Sequence, residues 1–434
     1  MRLSCINLNE LVMPAHHSRE SGNLNFILII MNKAKILFII LVFGLFHANA
    51  QLGSGHTTPM MGWSSWNNFS VNINERLIED EADAMVTSGL KDAGYQFINI
   101  DDGYFGGRDK NGNLQANKAK FPHGMKALAD YVHSKGLKAG MYTDAGINTC
   151  GSLWAGDTIN NASGIFGHDE QDLTLFLKTW GYDFLKVDWC GGKSLKLDEQ
   201  LRYTQISEAM RKIKPEAIMN ICRWEFPGKW APLVAGSWRI SGDIYNSFSS
   251  VLNIINLNAD YWKYCSRGHF NDMDMLEVGR GMAYEEDKTH FSMWCMLNSP
   301  LMLSNDLRHI SKETLSILIN KEIIALDQDA LCYQARKLAV KDSVQIWAKP
   351  LASVISGEVA VALMNTSNTK TSAVLNIDSI GINSQKGYVI RDLWKHQDDA
   401  LSKDASRKFT IPPHGTVVLK ITGTSVPFNI FEND

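Results

Sequence analysis

Between residue 56 and about residue 329 the chain alternates between two hydrophobic periods. Short apolar runs end abruptly in polar residues at Trp63-Ser-Ser-Trp66, Phe97-Ile-Asn-Ile-Asp-Asp102, Ala139-Gly-Met-Tyr-Thr-Asp144, Val187-Asp188, Met219-Asn-Ile-Cys222, Arg239-Ile-Ser-Gly-Asp243, Phe270-Asn-Asp-Met-Asp274 and Met302-Leu-Ser-Asn-Asp306. These read as strands. Between them, residues 74–93, 123–135, 169–180, 197–212 and 285–297 carry apolar side chains at helical spacing. Gly94, Gly136 and Gly181 stand just past helix ends, where a left-handed C-cap is wanted. About eight strand–helix units over roughly 270 residues is the usual extent of a (β/α)8 barrel. The expected fold class is therefore α/β, a (β/α)8 TIM barrel. An open doubly wound sheet is the competing topology. It would call for a glycine-rich phosphate loop, and no G-x-G-x-x-G follows the first strand.

From about residue 329 the texture changes. Residues 343–349, 359–365, 372–377, 387–392 and 416–422 are short β-rich runs parted by Ser, Asn, Gly and Pro. They predict a C-terminal antiparallel β-sandwich. The expected division is a barrel over residues 51–328 and a sandwich over residues 329–434.

One strand concentrates the chemistry. In Phe184-Leu-Lys-Val-Asp-Trp-Cys190, Phe184, Leu185 and Val187 suit burial, while Lys186, Asp188 and Cys190 share one parity. A carboxylate two residues from a lysine, at a strand's C-terminal end, suits a nucleophile kept ionised by a nearby cation. The same pattern fits a structural salt bridge. Six other carboxylates share the strand-end position: Asp101, Asp102, Asp144, Asp243, Asp272 and Asp306. That end is the active face of a barrel, although some of these must cap loops or hold the rim. A ring of carboxylates without ligand histidines argues for acid/base and hydroxyl-binding chemistry.

Composition narrows the classes. The 434 residues are 45% hydrophobic and 21% charged, with a net charge of -3, which gives no reason to expect nucleic acid as a partner. The 12 Trp include several beside polar strand ends, where sugar sites often place aromatic platforms. Met31-Asn-Lys-Ala-Lys35, the apolar run to Phe46 and Ala48-Asn-Ala50 resemble a signal peptide, residues 31–50, with a mature N-terminus at Gln51. Residues 1–30 then precede the signal, and Met31 is the expected start. No cysteine follows the cleavage site, so no lipid anchor and no stable membrane association are expected, and the protein is expected in the periplasm or secreted. Of 7 Cys, Cys5 lies in the leader, and the others match no zinc spacing. No metal is assigned and no cofactor is expected.

Several motifs together resemble glycoside hydrolase family 27 of the clan D α-galactosidases, the melibiases. They are Met61-Gly-Trp-Ser-Ser-Trp66, Ile100-Asp-Asp-Gly103, Met141-Tyr142, Lys186-Val-Asp188, Trp238-Arg239 with Asp243, Asn271-Asp-Met-Asp-Met275 and Ser304-Asn-Asp-Leu-Arg-His309, in the family's order. The resemblance runs from about Met60 to Gln334 and continues into the sandwich. It implies the same two-domain fold and a retaining exo-glycosidase acting on terminal α-D-galactosyl residues. Asp188 matches the family's nucleophile and Asp243 its acid/base. Trp66 matches the wall near C6. Asp101 and Asp102 match the pair on the 6-OH and 4-OH. Lys186 matches the lysine at the 3-OH, Arg239 the arginine at the 2-OH, and Tyr142 the tyrosine beside the nucleophile. Trp66 and Tyr142 also fit plain packing, and Asp101-Asp102 also fits a loop cap. Cys150 and Cys190 match the family's disulfide. The other four mature-chain cysteines are expected unpaired.

One position departs from the family. Many members place a Glu after the fifth-strand Cys, where it accepts from the 2-OH. Here the stretch reads Cys222-Arg223-Trp224-Glu225, and an arginine can only donate. Either Arg223 contacts O2 with reversed polarity, or it points away and Trp224 or Glu225 lines the pocket. Competing readings are a β-L-arabinopyranosidase, an α-N-acetylgalactosaminidase, an isomalto-dextranase, and a catalytically dead carbohydrate-binding barrel. Asp188 and Asp243 together, with Lys186 and Arg239, argue against the last. Monomer and homodimer both stay open.

Overall fold

A computed structural model describes residues 57–352 and 357–425. The expected leader, signal peptide and cleavage site lie outside the described residues.

Eight parallel strands form the first half of the molecule: β1 Met61–Ser64, β2 Phe97–Ile100, β3 Lys138–Asp144, β4 Phe184–Asp188, β5 Ile218–Ile221, β6 Ser237–Arg239, β7 Phe270–Asp272 and β8 Leu301–Leu303. From β1 to β7 each pairs with the next in chain order, and β1 pairs with β8. A parallel bridge between Leu276, just past β7, and Leu303 of β8 joins the two ends. The result is a barrel rather than an open doubly wound sheet. The alternation along β4 explains its sequence. Leu185 and Val187 point outward into the core under the helices. Phe184 points inward, where it packs with Met60, Phe97, Ile218, Met275 and Met302 as a floor. Lys186 and Asp188 follow Phe184 on the inward side, so the strand's polar atoms rise from that floor toward the open end.

Two helices depart from the periodic reading. The run over residues 74–93 is a helix Glu75–Thr87, N-capped by the Asn74 side chain, and a separate turn Leu90–Ala93. Gly89, at φ 87°, breaks it. The run over residues 169–180 begins as a helix Asp169–Thr174 and ends in a π-turn Leu175–Thr179. A short hairpin of Phe105–Arg108 and Leu114–Ala116 after β2 was not legible as strands.

The second half contains a six-stranded antiparallel sheet and a two-stranded one, Thr371–Asn376 with Ser406–Ile411. Its central strands Val344–Pro350 and Glu358–Asn365 are buried along nearly their whole length. One parity, including Val344, Ile346, Val361 and Leu363, packs in the sandwich core. The other, including Trp347, Ala360, Ala362 and Met364, joins the barrel's core. Lys349 lies on that barrel-facing side, and its buried ammonium donates to Leu326 O and Asn298 Oδ1. Among the described residues, no helix is long and apolar enough to cross a membrane.

Candidate active site

Most of the candidate site residues converge on one cavity of about 1100 Å³. Trp66, Asp101, Asp102, Tyr142, Lys186, Asp188, Trp224, Arg239 and Asp243 all line it, and Arg223 does not.

Asp188 ends β4 and is only 5% exposed. Its Oδ1 accepts from the Trp189 N–H at 3.1 Å. Burial pushes its carboxyl up to about 6, with Lys186 pulling down and Asp101 pushing up. Lys186 makes its ion pair with Asp101, at 2.8 Å, and not with Asp188. The ammonium therefore acts on Asp188 through space, and Asp188 keeps an oxygen for chemistry. Burial works against the charge on Lys186, but the neighbouring carboxylates, Asp101 foremost, outweigh it and hold its pKa well above the ordinary lysine value. Its Nζ also sits 5.4 Å from the Tyr142 ring centre.

Asp101 and Asp102 divide their work. Asp101 Oδ2 takes Lys186 and, at 3.4 Å, the Ser64 hydroxyl. Asp102 is buried and holds backbone: Oδ1 accepts from Gly103 N at 2.7 Å and Oδ2 from Gly151 N at 2.6 Å. Burial pushes it up to about 6. Loop capping, one of the two readings of this pair, thus describes Asp102 while it also lines the cavity. Tyr142 likewise combines both readings: its hydroxyl accepts from Cys150 N at 3.1 Å, and its ring faces the cavity. Trp66 lines the cavity and also packs on the barrel floor.

Cys150 and Cys190 form a disulfide with Cα atoms 5.2 Å apart. It ties the loop after β3 to the loop after β4, where the two cross closely. A Cβ on Gly191 would lie 2.3 Å from Asn148 O, and one on Gly146 would lie 2.0 Å from the Gly191 carbonyl carbon. Only glycine fits that crossing. Cys222, Cys265, Cys295 and Cys332 are buried free thiols.

Arg239, buried on β6, reaches Asp274 Oδ2 at 2.7 Å and Asp243 Oδ1 at 3.0 Å. The Asp243 side chain is 63% exposed, in contrast to Asp188. Asp274, in the Asn271–Met275 motif, also lines the cavity, a role that strand-end position alone does not single out. Its backbone sits at φ 78°, a costly conformation for a non-glycine residue. The side chain holds that turn by accepting from Ile244 N and Met275 N. A second such feature is the rim brace in which Arg280 binds Glu277, Asn67 O and Asn68. Neither residue type nor spacing marks that brace in the sequence.

Arg223 corrects the expectation of a sugar contact. Its guanidinium pairs with Glu199 at 2.8 Å and Glu225 at 2.8 Å. Two carboxylates outside the cavity capture a side chain that can only donate, and Trp224 lines the pocket instead. Three other strand-end carboxylates are structural. Asp144 Oδ1 accepts from Gly146 N and Gly191 N, and burial with the nearby Asp188 charge pushes it up to about 8. Asp272 holds Asn220 inside the barrel, and Asp306 caps the turn Leu307–His309 and pairs with Arg308.

The family model described as alpha galactosidase A matches residues 58–329, well over half the chain. The chain belongs to the α-galactosidase family. A second model, the alpha galactosidase C-terminal beta sandwich domain, matches residues 341–421. Among relatives of this α-galactosidase-family chain, alpha-galactosidase A of Cellvibrio japonicus is 41% identical over 388 residues, covering 84% of this chain and 92% of that protein. The Oryza sativa alpha-galactosidase is 38% identical, covering 84% of this chain and 85% of its own. The crystal structure of alpha-galactosidase I from Mortierella vinacea superposes with a TM-score of 0.79 at 33% identity, covering 86% of this chain and 99% of that one.

Proposed function

We propose that this protein is a retaining exo-α-galactosidase in which Asp188 is the nucleophile and Asp243 the acid/base. The observation that carries the reading is the contrast between two carboxylates on one cavity. Both line the cavity, where Asp188 is buried and the Asp243 side chain is open to water. A nucleophile needs protection from solvent, and an acid/base must exchange its proton with water. Asp188 attacks the anomeric carbon as the bond to the leaving oxygen breaks, and Asp243 gives that oxygen its proton. A water then loses a proton to Asp243 and attacks the same carbon, which frees galactose and restores the Asp188 carboxylate. Asp101 and Lys186 are placed to take hydroxyls on one side of the ring, and Arg239 on the other. The substrate is a carbohydrate with a terminal galactosyl group.

An activated 2-fluoro galactoside should label Asp188, and Asp188→Asn should abolish turnover of a nitrophenyl α-galactoside. Mass spectrometry that finds the label on any other residue sinks the assignment.

The leader-like residues 31–50 and the Cys150–Cys190 bond support export to the periplasm or beyond, where disulfides persist. Sequencing of the mature N-terminus should begin at Gln51; an unprocessed, membrane-bound active form would contradict export.

A further inference from the structure

Arg280 joins four of the loops that frame the cavity. Its Nε donates to Glu277 Oε2 at 2.6 Å, in the loop after β7. Nη1 donates to Asn68 Oδ1 at 2.9 Å, after β1, and to Ser304 O at 3.0 Å, after β8. Nη2 donates to Asn67 O at 2.8 Å. From the backbone, Arg280 O accepts from the Asn246 amide, in the loop after β6. Glu277, only 3% exposed at its side chain, takes Arg280 on one oxygen and the Asn67 amide on the other. Asn67 belongs to the turn Trp66–Phe69, whose first residue is the cavity-lining Trp66. One helical turn is too short to hold itself. The Ser65 side chain does not cap it, and none of its four residues is fully buried. Phe69 anchors the far end against the barrel core. The end that carries Trp66 is held by Glu277 and Arg280, 210 and 213 positions beyond Asn67.

We propose that Arg280, seated on Glu277, is a positioning residue that sets discrimination at C6 of the sugar by fixing the Trp66 wall. This rests on the proposed function, in which Trp66 faces C6. An arginine suits the task because its planar fork donates in several fixed directions at once, whereas a lysine offers the charge at a single point. Without the fork, the turn that carries Trp66 loses its contacts at Asn67 O and Asn68 Oδ1 and is free to shift. A hydroxymethyl group then loses its wall, and a sugar without that group loses nothing. The chemical step is spared for both sugars. Asp188 lies on β4, which Arg280 does not touch, and the tie to the loop of Asp243 runs through the Arg280 backbone, which a side-chain substitution leaves in place.

The test is the ratio of kcat/KM for a nitrophenyl α-D-galactoside to that for the β-L-arabinopyranoside, which lacks the hydroxymethyl group. Arg280→Lys keeps a cation beside buried Glu277 but gives up the fork. Asn68→Ala removes one acceptor at an exposed position outside the cavity, so it leaves the buried pair intact. Each variant should lower the ratio roughly 3-fold or more, through a higher KM for the galactoside, with the arabinopyranoside little changed. A misfolded fraction lowers both activities alike and does not move the ratio. An unchanged ratio in both variants overturns the inference, and so does active wild-type protein without a preference for the galactoside. Wild-type protein inactive on both glycosides overturns the proposed function itself, and the two failures are thereby told apart.

Discussion

Arg239 Nη2 lies 2.7 Å from Asp274 Oδ2, and both side chains are buried. The same nitrogen is 3.0 Å from Asp243 Oδ1. Asp274 balances the buried Arg239 charge and holds its own turn by accepting from Ile244 N and Met275 N. Removing one partner of a buried ion pair costs roughly 3–5 kcal/mol. Asp274→Asn should therefore lower the melting temperature and reduce kcat/KM for a nitrophenyl α-galactoside about 10-fold or more, because Arg239 loses its shortest anchor at the cavity wall. A variant with the wild-type melting temperature and kcat/KM would show that Arg239 does not depend on Asp274.

On the proposed reading Trp66 and Asp101, which both line the cavity, face C6 of the sugar. A 6-OH donating to the Asp101 carboxylate adds a hydrogen bond to a charged group, worth about 1.5–3 kcal/mol, while without it Asp101 keeps only Lys186, Ser64 and Asp102 N. An aryl α-D-galactoside should therefore exceed the β-L-arabinopyranoside, which lacks the hydroxymethyl group, by about 10-fold or more in kcat/KM. The α-GalNAc compound should stay near background, because Trp224, Cys222 and Arg239 fill the neighbouring wall. Assays of the three aryl glycosides side by side decide it.

Arg223 is bound to Glu199 and Glu225 rather than facing the cavity. Arg223→Ala should change kcat/KM for the galactoside less than about 3-fold, well short of the roughly 1–3 kcal/mol lost with a direct contact to a substrate hydroxyl. A selective rise in KM of tenfold would restore Arg223 to the sugar site.

The Cys150–Cys190 disulfide spans a sequence separation of 40. Chain entropy alone assigns such a loop roughly 4 kcal/mol. Cys150→Ser with Cys190→Ser should lower the denaturation midpoint accordingly. Activity should fall as well, since Cys150 N donates to the Tyr142 hydroxyl at the cavity wall.

Burial pushes Glu81 and Asp144 each up to about 8. In the unfolded chain both lose their protons near pH 4. The native state therefore holds more protons than the unfolded state up to about pH 8, and stability falls as pH rises through that value. Buried His290 works in the other direction: burial pushes it down to about 3, so its contribution is lost below about pH 6.5. The melting temperature should thus be higher at pH 6.5 than at pH 8.5 by roughly a few degrees. Glu81→Gln should narrow that gap; an unchanged gap would show that Glu81 is ionised at no cost.

Sequence alone determined the architecture, because the signals are local. Each barrel strand buries an apolar run and stops where Asp, Asn or Ser begins, as at Ile100-Asp-Asp and Val187-Asp, and that change of polarity needs no partner to be read. Gly94, Gly136 and Gly181 beyond helix ends are equally local, and all three adopt positive φ. The family motifs add the residues that meet at the cavity.

Tertiary structure decided how those residues share their charges. Seven carboxylates look alike at strand ends, yet neighbours tens of residues away sort them. Gly191 N claims Asp144, Gly151 N claims Asp102, and Lys186 binds Asp101 rather than the nearer-in-sequence Asp188. The destination of Arg223 depended on Glu199, 24 positions earlier (223 − 199), and on a helix start that brings the two together. The role of Asp274 depended on a guanidinium from the preceding strand. An ionic contact is set by distances through the fold and by burial, and neither is written in the spacing of residues along the chain.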